Sequence, residues 1–144
     1  KPLRGWKGEV YEGGIRVPAL ANWPGVLAPG RCDAPMHIVD WMPTLCALTG
    51  TRPPRDLKWD GANVWPSITG KPGTPEPRML YCKAPKFSAV RSGDWKLVIG
   101  NDGSRAELYD LAADPYETKD LASQQPGRVA MLKRLWKNFA AGDR

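Results

Sequence analysis

The sequence predicts a mixed α and β chain that closes in an α+β subdomain, a small antiparallel sheet packed against a C-terminal helix. Three observations carry this. Fifteen glycines and fifteen prolines in 144 residues cut the chain into short pieces, which argues against a helical bundle. Strand-like runs bounded by turn residues crowd the stretch 79–111. Val129, Leu132, Trp136 and Phe139 then recur at intervals of three, four and three, the stripe of an amphipathic helix over 128–140 that can cover one sheet face.

The elements follow in order. Residues 2–20 set one lysine between glycines, a Glu-Gly-Gly turn and an arginine before an apolar run. Glycines admit positive φ and close backbone approach, so Lys7 beside Gly8 is either a solvated loop residue or an ammonium presented to an anion. Ile15–Trp23 reads as a short strand, with Pro18 marking a strand beginning or an edge. Pro24-Gly25 and Pro29-Gly30 are turns. From Met36 to Leu48 the apolar residues fall at helical spacing, with Asp40 as cap, Pro43 in the first turn and Gly50 as the stop; the segment reads as a buried helix. His37, the single histidine, reads as a packing or capping residue beside that helix start.

Residues 51–77 form a Pro/Gly/Thr-rich connector with a turn at Asp60-Gly61 and a brief apolar piece from Val64 to Ile68 ending at Gly70. A boundary falls near residue 75. Beyond it come a strand at Met79–Cys82 and a hairpin of 87–91 with 95–99 around Ser92-Gly93-Asp94. Asn101-Asp102-Gly103 turns the chain into a last strand over 107–111, and Asp114-Pro115 punctuates before the helix.

The chain is 42% hydrophobic with seven tryptophans, enough for a core. Most of those tryptophans are expected in packing, with Trp6 and Trp95 as candidates for stacking on sugar rings. No apolar run is long enough to span a bilayer, and the start lacks a signal-peptide layout. The net charge of +6 divides as nine Lys/Arg against seven Asp/Glu in 1–77 and twelve against eight in 78–144. Neither half holds a dense basic run, so the charge reads as a solvated face and argues against nucleic acid as a partner. Cys32, Cys46 and Cys82 lack zinc spacing; idle thiols are expected over a disulfide, and the redox compartment stays open.

Gly5, Lys7, Gly8, Glu12, Gly13, Gly14, Arg16 and Pro18 reproduce a Gly-x-Lys-Gly-x-x-x-Glu-Gly-Gly-x-Arg-x-Pro pattern. Asp40, Pro43, Thr44 and Leu45 follow, then Arg91-x-Gly93-x-Trp95-Lys96-Leu97, Glu107-Leu108-Tyr109-Asp110-Leu111 and Asp114-Pro115-Tyr116-Glu117 with Leu121. In this order the motifs resemble the C-terminal portion of a sulfatase, of the arylsulfatase-like, alkaline phosphatase-like superfamily. One departure is Asp120, where relatives usually carry asparagine; only local turn bonding is expected to change.

The resemblance implies a partial alkaline phosphatase-like α/β domain with connector over 1–75 and the α+β subdomain over 76–144. It implies hydrolysis of aryl or carbohydrate sulfate esters by a formylglycine beside a calcium, with Lys7 binding the sulfate; Arg4 could face the substrate mouth. Arg16 is expected to pair with Glu12 rather than shape the anion pocket. The nucleophile motif C/S-x-P/A-x-R is not matched: Cys82-Lys83-Ala84-Pro85-Lys86 ends in lysine and lies after Lys7, where the family's nucleophile precedes it. No metal ligands are recognised either. The expectation is therefore a fragment that binds no calcium alone, is inactive without a missing N-terminal portion, and self-associates through exposed apolar edges. A periplasmic or secreted setting is what the family implies. The alternatives are a phosphonate or phosphodiester hydrolase of the same superfamily and a non-catalytic module for anionic glycans.

Overall fold

The computed structural model describes residues 2–71 and 77–142; the boundary expected near residue 75 lies outside the described residues. The chain forms two compact units, one of Lys1–Pro18 with Met79–Arg144 and one of Ala19–Arg78.

The first unit is built on an antiparallel sheet in the order β1-β2-β3-β4, comprising β1 (Met79–Lys83), β2 (Phe87–Ser92), β3 (Trp95–Gly100) and β4 (Ala106–Asp110). Its register pairs Val90 with Leu97 and Leu97 with Leu108. The two residues Gly93-Asp94 close the β2–β3 hairpin, with glycine at the first turn position as a tight hairpin favours. Helix α4 (Pro126–Gly142) starts on a proline, whose missing N–H costs nothing there. It seats Leu132, with Val129, Leu135, Trp136 and Phe139, on Val90, Leu97, Ile99 and Leu108. The stripe legible in the sequence is the stripe that packs. Trp95 joins this cluster, with the Arg128 guanidinium 4.0 Å from its ring centroid, so packing claims it; Trp6 is exposed.

Alternation along the strands sends Ala89, Val98 and Tyr109 to the other face, where they meet Val10 and Tyr11 of the opening segment. The sheet is thus covered on both sides. A short helix α1 (Glu12–Ile15) occupies the Glu-Gly-Gly stretch. Asp120 does more than local turn bonding: its Oδ1 accepts the Leu108 N–H of edge strand β4 at 2.9 Å and the Ala122 N–H at 2.8 Å. An aspartate supplies that acceptor as well as an asparagine would.

In the second unit a 3-10 turn Ile38–Asp40 leads into α2 (Trp41–Thr49), and α3 (Trp65–Ile68) follows. His37 caps this start, its Nδ1 accepting from Val39 N–H and its own N–H donating to Asp40 Oδ2. Asp40 makes no side-chain cap to α2. Its carboxylate instead accepts from Ala62 N–H at 2.9 Å and pairs with buried Arg78. Burial opposes its ionisation, but the Arg78 bond, the two backbone N–H donors and the Arg78 charge outweigh it and hold the acid below its usual range.

Two expectations change. No strand forms over Ile15–Trp23: Ile15 ends α1, and the residues 16–23 join no sheet ladder; a strand exists only through a partner ladder, and Pro18 withholds one donor. Helix α2 buries only Thr44, while Ile38, Met42 and Leu45 stand exposed, so the apolar spacing marks a face without cover among the described residues.

Candidate functional site

Lys7 stands on a loop whose own backbone explains its glycines. Glu9 N–H donates to Trp6 O at 3.0 Å, closing a turn with Lys7 and Gly8 at its corners. Gly8 takes a φ of +92°, open to glycine and strained for other residues. Gly13 and Gly14 serve close approach instead. A Cβ on Gly13 would lie 2.4 Å from Gly5 O, and one on Gly14 would lie 2.2 Å from Glu9 O. The glycine pair therefore admits the loop's own carbonyls. The neck is closed where Gly13 N–H donates to Arg4 O at 2.6 Å.

The two cations of this loop have different surroundings. Lys7 is exposed and makes no ion pair among the described residues. Arg4 is pinned against β4: its guanidinium donates to Tyr109 OH at 2.5 Å and to Glu117 O at 3.1 Å, lies 3.4 Å from Glu107, and sits 4.0 Å over the Tyr11 ring. Four contacts occupy its planar fork. Glu107 Oε2 also accepts from Tyr11 OH at 2.8 Å and Tyr109 OH at 2.5 Å, and Arg105 pairs with its other oxygen. Burial first, and then the bond to Glu107, push the Tyr11 phenol up to about 12 and raise Tyr109 likewise. For Glu107 burial works against ionisation, but the two phenols and the two arginines outweigh it and lower its pKa.

Behind the loop lies a second charged cluster. Lys96 on β3 is 1% exposed and sits 2.9 Å from Glu12 Oε1 and 2.8 Å from Glu117 Oε1. Glu117 Oε2 accepts the Glu12 N–H at 2.7 Å. Glu117 is the single described residue other than glycine with positive φ, at 53°. The Asp114 carboxylate braces its turn by accepting from Thr118 N–H at 2.6 Å and Lys119 N–H at 2.9 Å. Arg16 reaches Glu12 at 3.9 Å, the nearby carboxylate with which it is expected to pair.

Sequence reasoning missed Lys96, Glu107 and Glu117 as partners of the opening loop. The available signal was alternation: Lys96, Glu107 and Tyr109 share the sheet face opposite the α4 stripe.

A concavity of about 230 Å³ lies between Gly8–Tyr11 and the β1–β2 turn at Ala84–Phe87. Among the described residues no group of three His, Cys, Asp or Glu is arranged to hold a metal; of the buried glutamates, Glu12 and Glu117 are engaged by Lys96 and Glu107 by Arg4 and Arg105. The described residues therefore offer no ligand set fitted to a calcium. Cys32, Cys46 and Cys82 form no disulfide. Burial raises Cys82 against the opposing charge of Lys96, the reverse of an activated nucleophile. No described helix is long and apolar enough to cross a membrane.

Comparison with known proteins places these motifs. The family described as N-sulphoglucosamine sulphohydrolase, C-terminal, matches residues 5–142. Human arylsulfatase A is 35% identical over 165 residues, covering 92% of this chain and 32% of that protein. Arylsulfatase J of Mus musculus is 30% identical over 189 residues, covering 96% and 31%. The solved structure of Ps i-CgsB in complex with k-i-k-neocarrahexaose superposes with a TM-score of 0.84 at 28% identity, covering 96% of this chain and 32% of that one. The chain thus spans about a third of the length of these two curated relatives.

Proposed function

Because this chain belongs to the N-sulphoglucosamine sulphohydrolase C-terminal family, we propose that it is the C-terminal portion of a sulfatase hydrolysing sulfate esters. Its contribution to the reaction is Lys7. The observation that carries this is the contrast on one loop: Arg4 is consumed by internal contacts, whereas Lys7 is raised on a glycine turn with its charge uncommitted. A sulfuryl group gathers negative charge on its oxygens as the ester bond breaks, and an ammonium fixed beside it stabilises that charge. Lys7 would bind and orient the sulfate oxygens, and Arg4 would hold the loop that carries it.

Formylglycine and calcium belong in this reading to chain outside these residues. The fragment alone is then inactive. The exposed Ile38 of the 3-10 turn and Met42 and Leu45 of α2 are in this reading a face that the remainder of a sulfatase covers; without it the fragment would self-associate. Sulfated carbohydrate is the favoured substrate class, in line with the neocarrahexaose bound by the similar structure. The periplasmic or secreted setting expected of the family belongs to the same proposal.

The test is the complete protein assayed on aryl sulfate and aryl phosphate esters, with Lys7→Ala and His37→Ala. Sulfate should be preferred, and Lys7→Ala should lose about 10²–10³-fold in kcat, the scale of one transition-state charge contact. His37→Ala should stay near wild type in turnover, since His37 caps the start of α2. A phosphate preference would move the protein to the phosphonate or phosphodiester hydrolases, absent turnover to a glycan-binding role, and equal losses would remove Lys7 from the site.

A further inference from the structure

We infer that Glu117 is a positioning residue for Lys7, acting through a two-point clamp on the neck of the Lys7 loop; this rests on the reading of Lys7 given above. The loop from Arg4 to Gly13 is closed by its own Gly13 N–H to Arg4 O bond, and both sides of that neck bind Glu117. On one side the Arg4 guanidinium donates to Glu117 O at 3.1 Å. On the other, the Glu12 N–H donates to Glu117 Oε2 at 2.7 Å. One residue, more than a hundred positions away in sequence, thus holds entry and exit together.

Glu117 is itself fixed. It is 1% exposed, its remaining carboxylate oxygen lies 2.8 Å from Lys96 on β3, and the Asp114-Pro115 turn holds its backbone at φ 53°. A side chain this well anchored transmits the rigidity of the sheet to the loop. Such rigidity matters for a point charge aimed at a developing anion, where an error of 1 Å can cost about 10²-fold in rate. The left-handed backbone is a cost accepted at this position.

Glu117→Gly is the informative variant, because glycine keeps the positive φ and the carbonyl while removing the carboxylate. Amide exchange in this chain, read by mass spectrometry, should quicken about tenfold or more over residues 5–13 while β2 and β3 stay within about twofold. In the complete enzyme kcat on aryl sulfate should fall about tenfold with little change in KM, and Glu117→Gly should add no further loss to Lys7→Ala. A merely structural role would lower turnover by the same factor in both backgrounds, and that result overturns the inference, as does unchanged loop exchange. Should Glu117→Gly fail to fold, Tyr109→Phe loosens the same neck through Arg4 and is read identically. If Lys7→Ala keeps wild-type turnover, the anion role of Lys7 fails; accelerated loop exchange would then mark the clamp as architectural alone, and positioning for chemistry would be refuted.

Discussion

Replacing Lys96 with methionine probes the buried charges under the Lys7 loop, and its cost separates two kinds of ion pair. Lys96 is 1% exposed and lies 2.9 and 2.8 Å from two carboxylates that are themselves 4% and 1% exposed. A surface pair in this geometry contributes about 0–1 kcal/mol. Removing one member of a buried pair costs about 3–5 kcal/mol, because the charge left behind has neither water nor partner. Methionine keeps most of the aliphatic stem, so little packing is lost and the electrostatic cost dominates. Arg16 compensates weakly, standing 3.9 Å from Glu12 with its side chain 51% exposed. The expected loss is therefore about 3–5 kcal/mol, or roughly 10 °C in Tm at about 3 °C per kcal/mol for a chain of this size. Urea unfolding followed by near-ultraviolet circular dichroism of the sheet aromatics measures it. Adding Glu12→Gln and Glu117→Gln to Lys96→Met should recover much of the loss, since the stranded charges are gone. A cost under about 1 kcal/mol would show that the cluster is solvated, and the buried-charge reasoning would fail.

Three further outcomes follow from the same unit. Tyr11 holds its proton in the fold up to about 12 against an ordinary 10, so its stabilising contribution is full below pH 10 and is lost as pH rises through 12; phenolate absorbance should show two of the four tyrosines ionising late, only as the fold opens. Glu107 is held below the usual carboxylate range, so it contributes stability above that range and loses it as pH falls; Glu107→Gln should flatten the acid limb of urea midpoint against pH. Leu132→Ala, at a side chain with no exposure, should cost about 2–5 kcal/mol in urea unfolding by opening a cavity between α4 and the sheet.

The sheet and its helix were legible because their signals are local. Hairpin turns at Gly93 and Gly103 and a stripe at helical spacing each report on neighbours within a few residues. The second cover of the sheet was illegible for the complementary reason. Lys96, Glu107 and Tyr109 look like a solvated face, and nothing near them in sequence says that Val10, Tyr11 and Glu12 come to lie on it. Ile15–Trp23 and α2 erred in the other direction. Apolar content suggested a strand in the first and a buried face in the second, yet ladder and burial both need a partner surface, and Leu20 is 98% exposed. The Lys7 turn was legible as a glycine-rich loop, whereas the use of Gly13 and Gly14 to admit carbonyls of the same loop appears only in three dimensions.

The different fates of Arg4 and Lys7 follow from side-chain chemistry as much as from position. A guanidinium presents several donors in one plane and stacks on aromatic faces, so it can join Tyr11, Tyr109, Glu107 and a carbonyl at once. An ammonium is a compact, strongly hydrated point charge with neither a planar fork nor a face to stack on aromatic rings. Exchanging the two residue types would undo this: a lysine at position 4 could not make the same set of contacts, and the loop bearing the free charge would lose one side of its neck. Under the role proposed for Lys7 the labour is divided, with the planar cation holding the loop and the point charge left for an anion.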